Sequence, residues 1–192
     1  MKPVEELQFV TPGLAVWQAY SSEVKVDCTS TALATPAGWL LIDPIPLADT
    51  CIEELTSIRP LAGIVLTSTN HQRASLDLRE RYSLPIYAPH APDLVADIWL
   101  RIGDRFCDDV QVISLLGAAS GEIALLSDEV LVMGDAVINL GELAILPDKY
   151  CEDPRQLRVS LAGLAGYRFK IACFAHGLPV VQDAAIRIEA LR

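Results

Sequence analysis

Four short stretches of this 192-residue chain carry the side chains that could do chemistry. Asp43 follows the apolar run Trp39 to Ile42, and the polar segment Thr67 to Arg73 follows Gly63 to Leu66. Asp135 follows Val130 to Met133, and His176 follows Lys170 to Phe174. Carboxylates and imidazoles ligate divalent metals and carry protons, whereas the guanidinium of Arg73 is permanently charged and can only attract an anion or neutralise a carboxylate. Each set stands where a strand should end, and loops at the ends of neighbouring strands are where rigid scaffolds place binding and catalytic groups. The candidate site is therefore Asn70, His71, Arg73, Asp135 and His176, with Asp43 as structural support.

The elements that must position these residues follow from hydrophobic periodicity. Apolar runs bounded by turn residues predict strands at Leu14 to Tyr20, Val24 to Leu33, Trp39 to Ile42, Gly63 to Leu66, Val110 to Ile113, Ile123 to Leu126, Val130 to Met133 and Lys170 to Phe174. A helix is predicted over Thr50 to Ile58, where Thr50 and Glu53 fit a capping box and Ile52, Leu55 and Ile58 make a stripe. Similar stripes run through Ala74, Leu78 and Tyr82, through Leu157, Leu161 and Leu164, and through Val181, Ala184, Ile188 and Leu191. The order repeats: a strand ending in Asp43, a helix and a second strand ending in polar residues, then a strand ending in Gly134-Asp135, a helix near Asp153 to Ala165 and a strand ending in Ala175-His176-Gly177. Strands mixed with helices in this way predict an α/β or α+β domain over residues 1–192.

Composition narrows the function classes. With 52% hydrophobic and 21% charged residues the chain should fold. Its net charge of −10, from 25 acidic and 15 basic residues with no dense Lys/Arg run, argues against nucleic acid and anionic membranes as partners. Glu5 and Glu6 interrupt the N-terminal region where a secretory signal needs an apolar stretch, so a cytoplasmic location is expected. Five dispersed cysteines with no C-x-x-C pair read as reduced packing residues. Cys151, on an expected surface loop, is flanked by Glu152 and Asp153, which disfavour a thiolate.

The succession LLIDPIPL, IVLTSTNHQRAS, LPIYAPH, GAASGEIALL, VLVMGDAVI and FAHGLPV resembles the metallo-β-lactamase superfamily over nearly the whole chain. The resemblance implies a four-layer αββα sandwich of two mixed sheets flanked by helices. In that family an apolar strand runs into L-T-H-x-H-x-D-H, later segments supply P-G-H-[ST]-P-G and T-G-D, and the chain closes near P-G-H-G-x-P. Here Leu66 and Thr67 match, but Ser68 and Asn70 stand at the two histidine positions, Gln72 at the aspartate and Arg73 at the third histidine. Gly117 and Gly121 keep the second turn, with Ala118 at its histidine and Ser120 at its proline. Asp135 and His176 match the bridging carboxylate and the closing histidine. His71-Gln72-Arg73, Gly121 to Leu126, Asp135 and Ile145 to Asp148 are similar to a subgroup of metal-dependent hydrolases whose first motif ends H-x-R.

Measured against the family, a dinuclear zinc centre is not expected, because hydroxyls and side-chain amides replace imidazoles and carboxylates poorly. No cofactor is then expected. Arg73 should fill the vacated volume and pair with Asp135, a carboxylate that needs another charge if it is buried without cations. Asp135 could equally be an ordinary turn or helix-start residue, and His176 a satisfied histidine in a strand-to-loop turn. The alternative is a site for one zinc or other divalent metal made from His71, Asp135 and His176, which requires His71, one place off the family spacing, to swing inward. Asp43 matches a family aspartate that braces the metal-bearing loop, and its task should be to accept backbone hydrogen bonds. His90 is expected in a solvent-facing loop.

Three functions follow as alternatives. The first is a protein with a degenerate metal centre, without dinuclear hydrolase activity, that binds a small anionic ligand or a partner at the old active-site mouth through Arg73. The second is a hydrolase using one metal on a small ester, thioester or lactam-like substrate. The third is a homo-oligomeric scaffold, suggested by the high apolar fraction.

Overall fold

A computed structural model describes residues 1–191. The first half builds β1 (Gln8–Thr11), β2 (Leu14–Ser21), β3 (Val26–Thr35), β4 (Gly38–Ile42), α1 (Asp49–Ile58), β5 (Leu61–Val65), α2 (Ser75–Tyr82), β6 (Ile86–Pro89) and β7 (Ile98–Leu100). Its strands form a seven-stranded sheet in the order of the sequence, antiparallel from β1 to β4 and parallel from β4 to β7. The second half builds β8 (Arg105–Phe106), β9 (Val110–Ser114), β10 (Ile123–Ser127), β11 (Val130–Val132), β12 (Val137–Asn139), β13 (Leu143–Ile145), α3 (Pro154–Gly163), β14 (Ile171–Cys173) and α4 (Ala184–Glu189). There β14, β11, β10, β9 and β8 make a five-stranded sheet, while β12 and β13 form a separate ribbon.

β4 shows why the sheets stack. All five of its residues are buried. Trp39 and Leu41 point to a core shared with Cys51, Ile52 and Leu55 of α1 and Leu78 of α2. Leu40 and Ile42, on the opposite face of the pleat, meet Val112, Ile123, Leu125 and Val132 of the other sheet. A strand covered on both sides reads as an unbroken apolar run, and so Trp39 to Ile42 does. On the far side, Leu131 and Ala172 of the second sheet pack against Leu157 and Leu161 of α3 and Ile188 of α4. The layers are therefore helix, sheet, sheet, helix, as the family resemblance implies.

The two-fold repeat is present in the topology. β4 runs parallel to β5 across α1, and β11 runs parallel to β14 across a connection that contains α3. Two helix details differ from expectation. The capping box at Thr50 and Glu53 does not form: the helix already begins at Asp49 behind Ala48, which offers no side-chain cap. Val181 lies outside α4 and is half exposed, so the last helix is shorter than its apolar pattern. No helix among the described residues is long and apolar enough to cross a membrane.

Candidate functional site

The two parallel strand pairs end on the same side of the sandwich. The chain leaves β4 at Asp43, whose positive φ of 49° is a conformation that aspartate tolerates better than most residues. Its carboxylate turns inward, accepting Thr67 N–H through Oδ1 at 2.8 Å and the Thr67 hydroxyl through Oδ2 at 2.6 Å. The predicted bracing role is what this geometry does. Thr67 in turn fixes the loop after β5 to the second sheet, because its carbonyl accepts Ile123 N–H at 2.9 Å.

Beyond Thr67 the chain takes one tight 3₁₀ turn, Thr69–His71, opened by Ser68, whose side chain accepts Asn70 N–H. With three residues per turn this conformation rotates His71 back under Thr67. Its Nδ1 lies 3.0 Å from Asp43 Oδ2 and 3.0 Å from Thr67 Oγ1, and its Nε2 lies 3.2 Å from Asp135 Oδ1. His71 is therefore inside the site and 1% exposed, despite being one place off the family spacing.

Asp135 occupies the loop between β11 and β12. It starts no helix. Gly134 before it has no room for a side chain, since a Cβ there would stand 2.7 Å from Thr67 Oγ1. Asp135 Oδ1 faces two imidazoles, His71 Nε2 and His176 Nε2, both at 3.2 Å. Its other oxygen, Oδ2, accepts the Asn70 amide at 3.1 Å. His176, after β14, is fixed from behind by Nδ1, which lies 2.9 Å from the Asp27 carbonyl. Gly177 follows with φ +94°, its backbone so close to Asn139 that a Cβ would collide with that carbonyl.

The ligand atoms of His71, Asp135 and His176 all lie within 4.8 Å of one another. In both histidines Nδ1 is held by an oxygen and Nε2 points at the shared carboxylate. The electrostatics follow from this closeness. Burial opposes charge on His71, but Asp43 and Asp135 outweigh it and hold its pKa up to about 10. Burial likewise opposes charge on His176, and hydrogen bonds to Asp135 and Cys28 raise it to about 9. Burial alone would raise Asp135, yet the two histidines hold it well below the usual carboxylate range.

Arg73 corrects an expectation. Its guanidinium does not pair with Asp135, and no ion pair involving it occurs among the described residues. With φ at 36° the residue turns the other way, donating to the carbonyls of Thr29 and Asp43 at 3.0 Å and Ala175 at 3.4 Å. Asp135 finds its positive partners in the histidines instead. Of the sequence candidates, Asn70, His71, Asp135 and His176 converge on one point, Asp43 stands behind His71, and Arg73 lies alongside. His90 is exposed and lies against Trp99 with its ring tilted, away from the site. Cys151 donates to the Leu146 carbonyl, and burial pushes its thiol up.

Two participants were missed by sequence reasoning. Glu122 is fully buried and accepts Ala119 N–H at 3.2 Å and Ala136 N–H at 2.9 Å, tying the Gly117 to Gly121 turn to the residue after Asp135. Burial and the nearby Asp135 push its pKa up to about 8. Its place beside Gly121 was the available signal. Cys28, on β3, lines the cavity over the site; burial raises its thiol, but the hydrogen bond to His176 and the charge of Arg73 more than reverse that. No spacing in the sequence marks it.

That cavity has a volume of about 730 Å³ and is lined by Asn70, His71, Arg73, Asp135 and His176 in its floor. The family model described as the metallo-beta-lactamase superfamily matches residues 7–191. Among solved structures, the DIM-1 metallo-beta-lactamase exposed to ceftazidime is similar, with 13% identity and a TM-score of 0.79, over 99% of this chain and 96% of that one. A metallo-beta-lactamase from Pontibacter korlensis shares 15% identity at a TM-score of 0.74, over 97% of each chain. ETHE1 from Myxococcus xanthus shares 20% at a TM-score of 0.60, over 85% of this chain and 76% of that one. At such identities the likeness shows the fold. No curated protein sequence matches the chain.

Proposed function

The chain belongs to the metallo-β-lactamase superfamily, and from that premise we propose that it is a hydrolase that works with one divalent metal ion held by His71, Asp135 and His176. The observation that carries this reading is the aim of the two rings. Metal-binding histidines nearly always give their second ring nitrogen to a carboxylate or backbone carbonyl, which fixes the tautomer and leaves the other nitrogen for the metal. His71 does so through Asp43 and His176 through the Asp27 carbonyl.

The donor set fits one ion. Separations of 3.2 Å between Asp135 Oδ1 and each Nε2 are close to those of atoms that share a zinc at about 2.0–2.2 Å. Two imidazoles and a carboxylate with further positions open suit zinc or a similar divalent ion. A second ion has no comparable support. The amide nitrogen of Asn70, a donor that cannot ligate, occupies the Asp135 oxygen that the two imidazoles do not face.

When bound, such an ion supplies a Lewis acid that polarises a carbonyl and makes water nucleophilic at neutral pH. The protein's residues do the rest. Asn70 and the two imidazoles fix the Asp135 carboxylate in one orientation, and Asp43 keeps the proton of His71 on Nδ1. The cavity admits a small ester, thioester or lactam-like substrate. The reading in which Arg73 draws in an anion loses its main support, because that guanidinium is engaged by three backbone carbonyls.

The test is metal analysis of the purified protein with calorimetric zinc titration, run beside Asp135→Ala. One equivalent per chain, lost in the variant, together with metal-dependent cleavage of small aryl esters, is the expected outcome. Two equivalents, or none, would overturn the proposal.

A further inference from the structure

Two of the three donors hang from one dipeptide. Glu122 and Ile123 stand at the start of β10, and each holds one of the loops that deliver a donor. The N–H of Ile123 is accepted at 2.9 Å by the carbonyl of Thr67, the residue whose hydroxyl lies 3.0 Å from the ring of His71. Glu122 Oε1 accepts the N–H of Ala136, one residue past Asp135, at 2.9 Å. Gly134, on the other side of Asp135, lies between the same two anchors: a Cβ there would stand 2.7 Å from Thr67 Oγ1 and 3.1 Å from Glu122 Oε1. The 3.2 Å between His71 Nε2 and Asp135 Oδ1 is therefore spanned by loops from different halves of the chain that are fastened at adjacent residues.

The dipeptide is itself held from behind. Glu122 Oε2 accepts Ala119 N–H at 3.2 Å, which closes the Gly117 to Gly121 turn. The far end of that turn is pinned just before α3, where the carbonyls of Gly117 and Ala118 accept the N–H groups of Asp153 and Glu152 at 2.9 and 3.0 Å. A Cβ on Gly117 would collide with the α3 backbone at Leu157, so the turn lies flush against that helix.

Glu122 is fully buried, does not line the cavity and forms no ion pair among the described residues. A carboxyl buried in this way is costly unless its oxygens are used. Both are used, by main-chain N–H groups from two different loops. An amide has a single oxygen and would turn its own N–H groups toward one of them, and an apolar residue would leave both without an acceptor.

We infer that Glu122 is a positioning residue for the metal site, holding Asp135 at ligating distance from His71 by binding the main chain beside it. Its effect on metal affinity rests on the proposed single-ion hydrolase. Its effect on how the two rings meet Asp135 does not, because that arrangement exists without metal.

The experiment compares the wild type with Glu122→Ala, Glu122→Gln and Ile188→Ala, the last a change on α4 in a part of the core remote from the site. The ring-nitrogen resonances of His71 and His176 are followed by NMR in the metal-free proteins, and zinc affinity is measured by competition with a chromophoric chelator. Glu122→Ala should move the ring resonances toward those of Asp135→Ala and weaken zinc by about 10–100-fold, the range for residues that orient a ligand. Glu122→Gln, which still accepts one of the two N–H groups, should fall between the alanine variant and the wild type in both readouts. It also serves alone if the alanine variant does not fold. Ile188→Ala should lose stability through its cavity yet keep the wild-type resonances and a zinc affinity within about twofold. Ring resonances unmoved by the Glu122 substitutions, unchanged zinc affinity in them, or equal changes in Ile188→Ala would overturn the inference. A wild type that takes no zinc, with rings that shift in the Glu122 variants, refutes the hydrolase alone. One that takes one zinc, with rings and affinity indifferent to Glu122, refutes the positioning alone.

Discussion

Asp43 and Asp135 occupy corresponding places in the two halves of the molecule, each just beyond a strand that runs parallel to its partner across a helical connection. Both are buried, at 2% and 7% exposure. Their surroundings differ in kind. Asp43 has its oxygens filled by a backbone N–H and a hydroxyl, with His71 as a third neighbour. Asp135 has one oxygen held by an amide and the other directed at two ring nitrogens on the floor of a cavity. Position in the repeat does not separate bracing from chemistry; what fills the acceptors does. A carboxylate satisfied by main chain is part of the frame, and one satisfied by titratable rings beside a cavity is available to a ligand.

The contrast can be tested by substitution. Asp43→Ala should show the largest loss of stability, about 3–5 kcal/mol by chemical denaturation, since it strands the Thr67 N–H and leaves His71 without its carboxylate. A loss as small as that of Asp135→Ala would erase the distinction. Glu122→Ala should come next, at about 2–3 kcal/mol, because two buried N–H groups lose their acceptor.

Glu122 also gives a pH signature. Its folded pKa of about 8 lies above the ordinary value of 4.5, so the metal-free folded state holds a proton that the unfolded chain has lost between those values. Its contribution to stability is therefore complete at low pH and declines as pH rises toward 8. Glu122→Gln should remove that decline, read as a flatter difference in denaturation midpoint between pH 5 and 8; parallel profiles would refute it.

Asp135→Ala should cost only about 1–2 kcal/mol without metal, since the cavity-facing histidines can release their protons to water. Zinc affinity should nevertheless fall beyond the about 10–100-fold typical of losing a residue that merely orients a ligand. Asn70→Ala sits at the small end, with stability within about 1 kcal/mol and zinc affinity down by about tenfold. An increase to two bound ions in that variant would show that Asn70 excludes the second.

Much of the frame was legible because it depends on patterns that burial enforces. The apolar run at β4 and the stripes of α1 and α3 follow from faces that must be covered. The strands that periodicity missed are β6, an interior strand of four residues, and β1, β7, β8, β12 and β13, edge or ribbon strands of two to four residues, all too short for alternation to register. In the site, the reading of Asp43 as an acceptor came from the family aspartate that it matches, and its carboxylate does accept Thr67 N–H. The destination of Arg73 could not be read, because the carbonyls that take its guanidinium, those of Thr29, Asp43 and Ala175, come from three distant places in the chain. His71 was named as an alternative ligand, but its placement depended on a 3₁₀ turn that no spacing rule anticipates. Glu122 and Cys28 stayed hidden because their roles come from tertiary proximity.

Arg73 has a mechanical consequence. It stitches Thr29 and Asp43 of the first sheet to Ala175 of the second, beside a triangle of donors that is itself divided, with His71 from one half and Asp135 and His176 from the other. Neither half alone carries a ligand set. Any sliding of one sheet over the other opens that triangle before it breaks a single rung of either ladder, so a bound ion would act as a rivet, and its release as the first sign that the layers are parting.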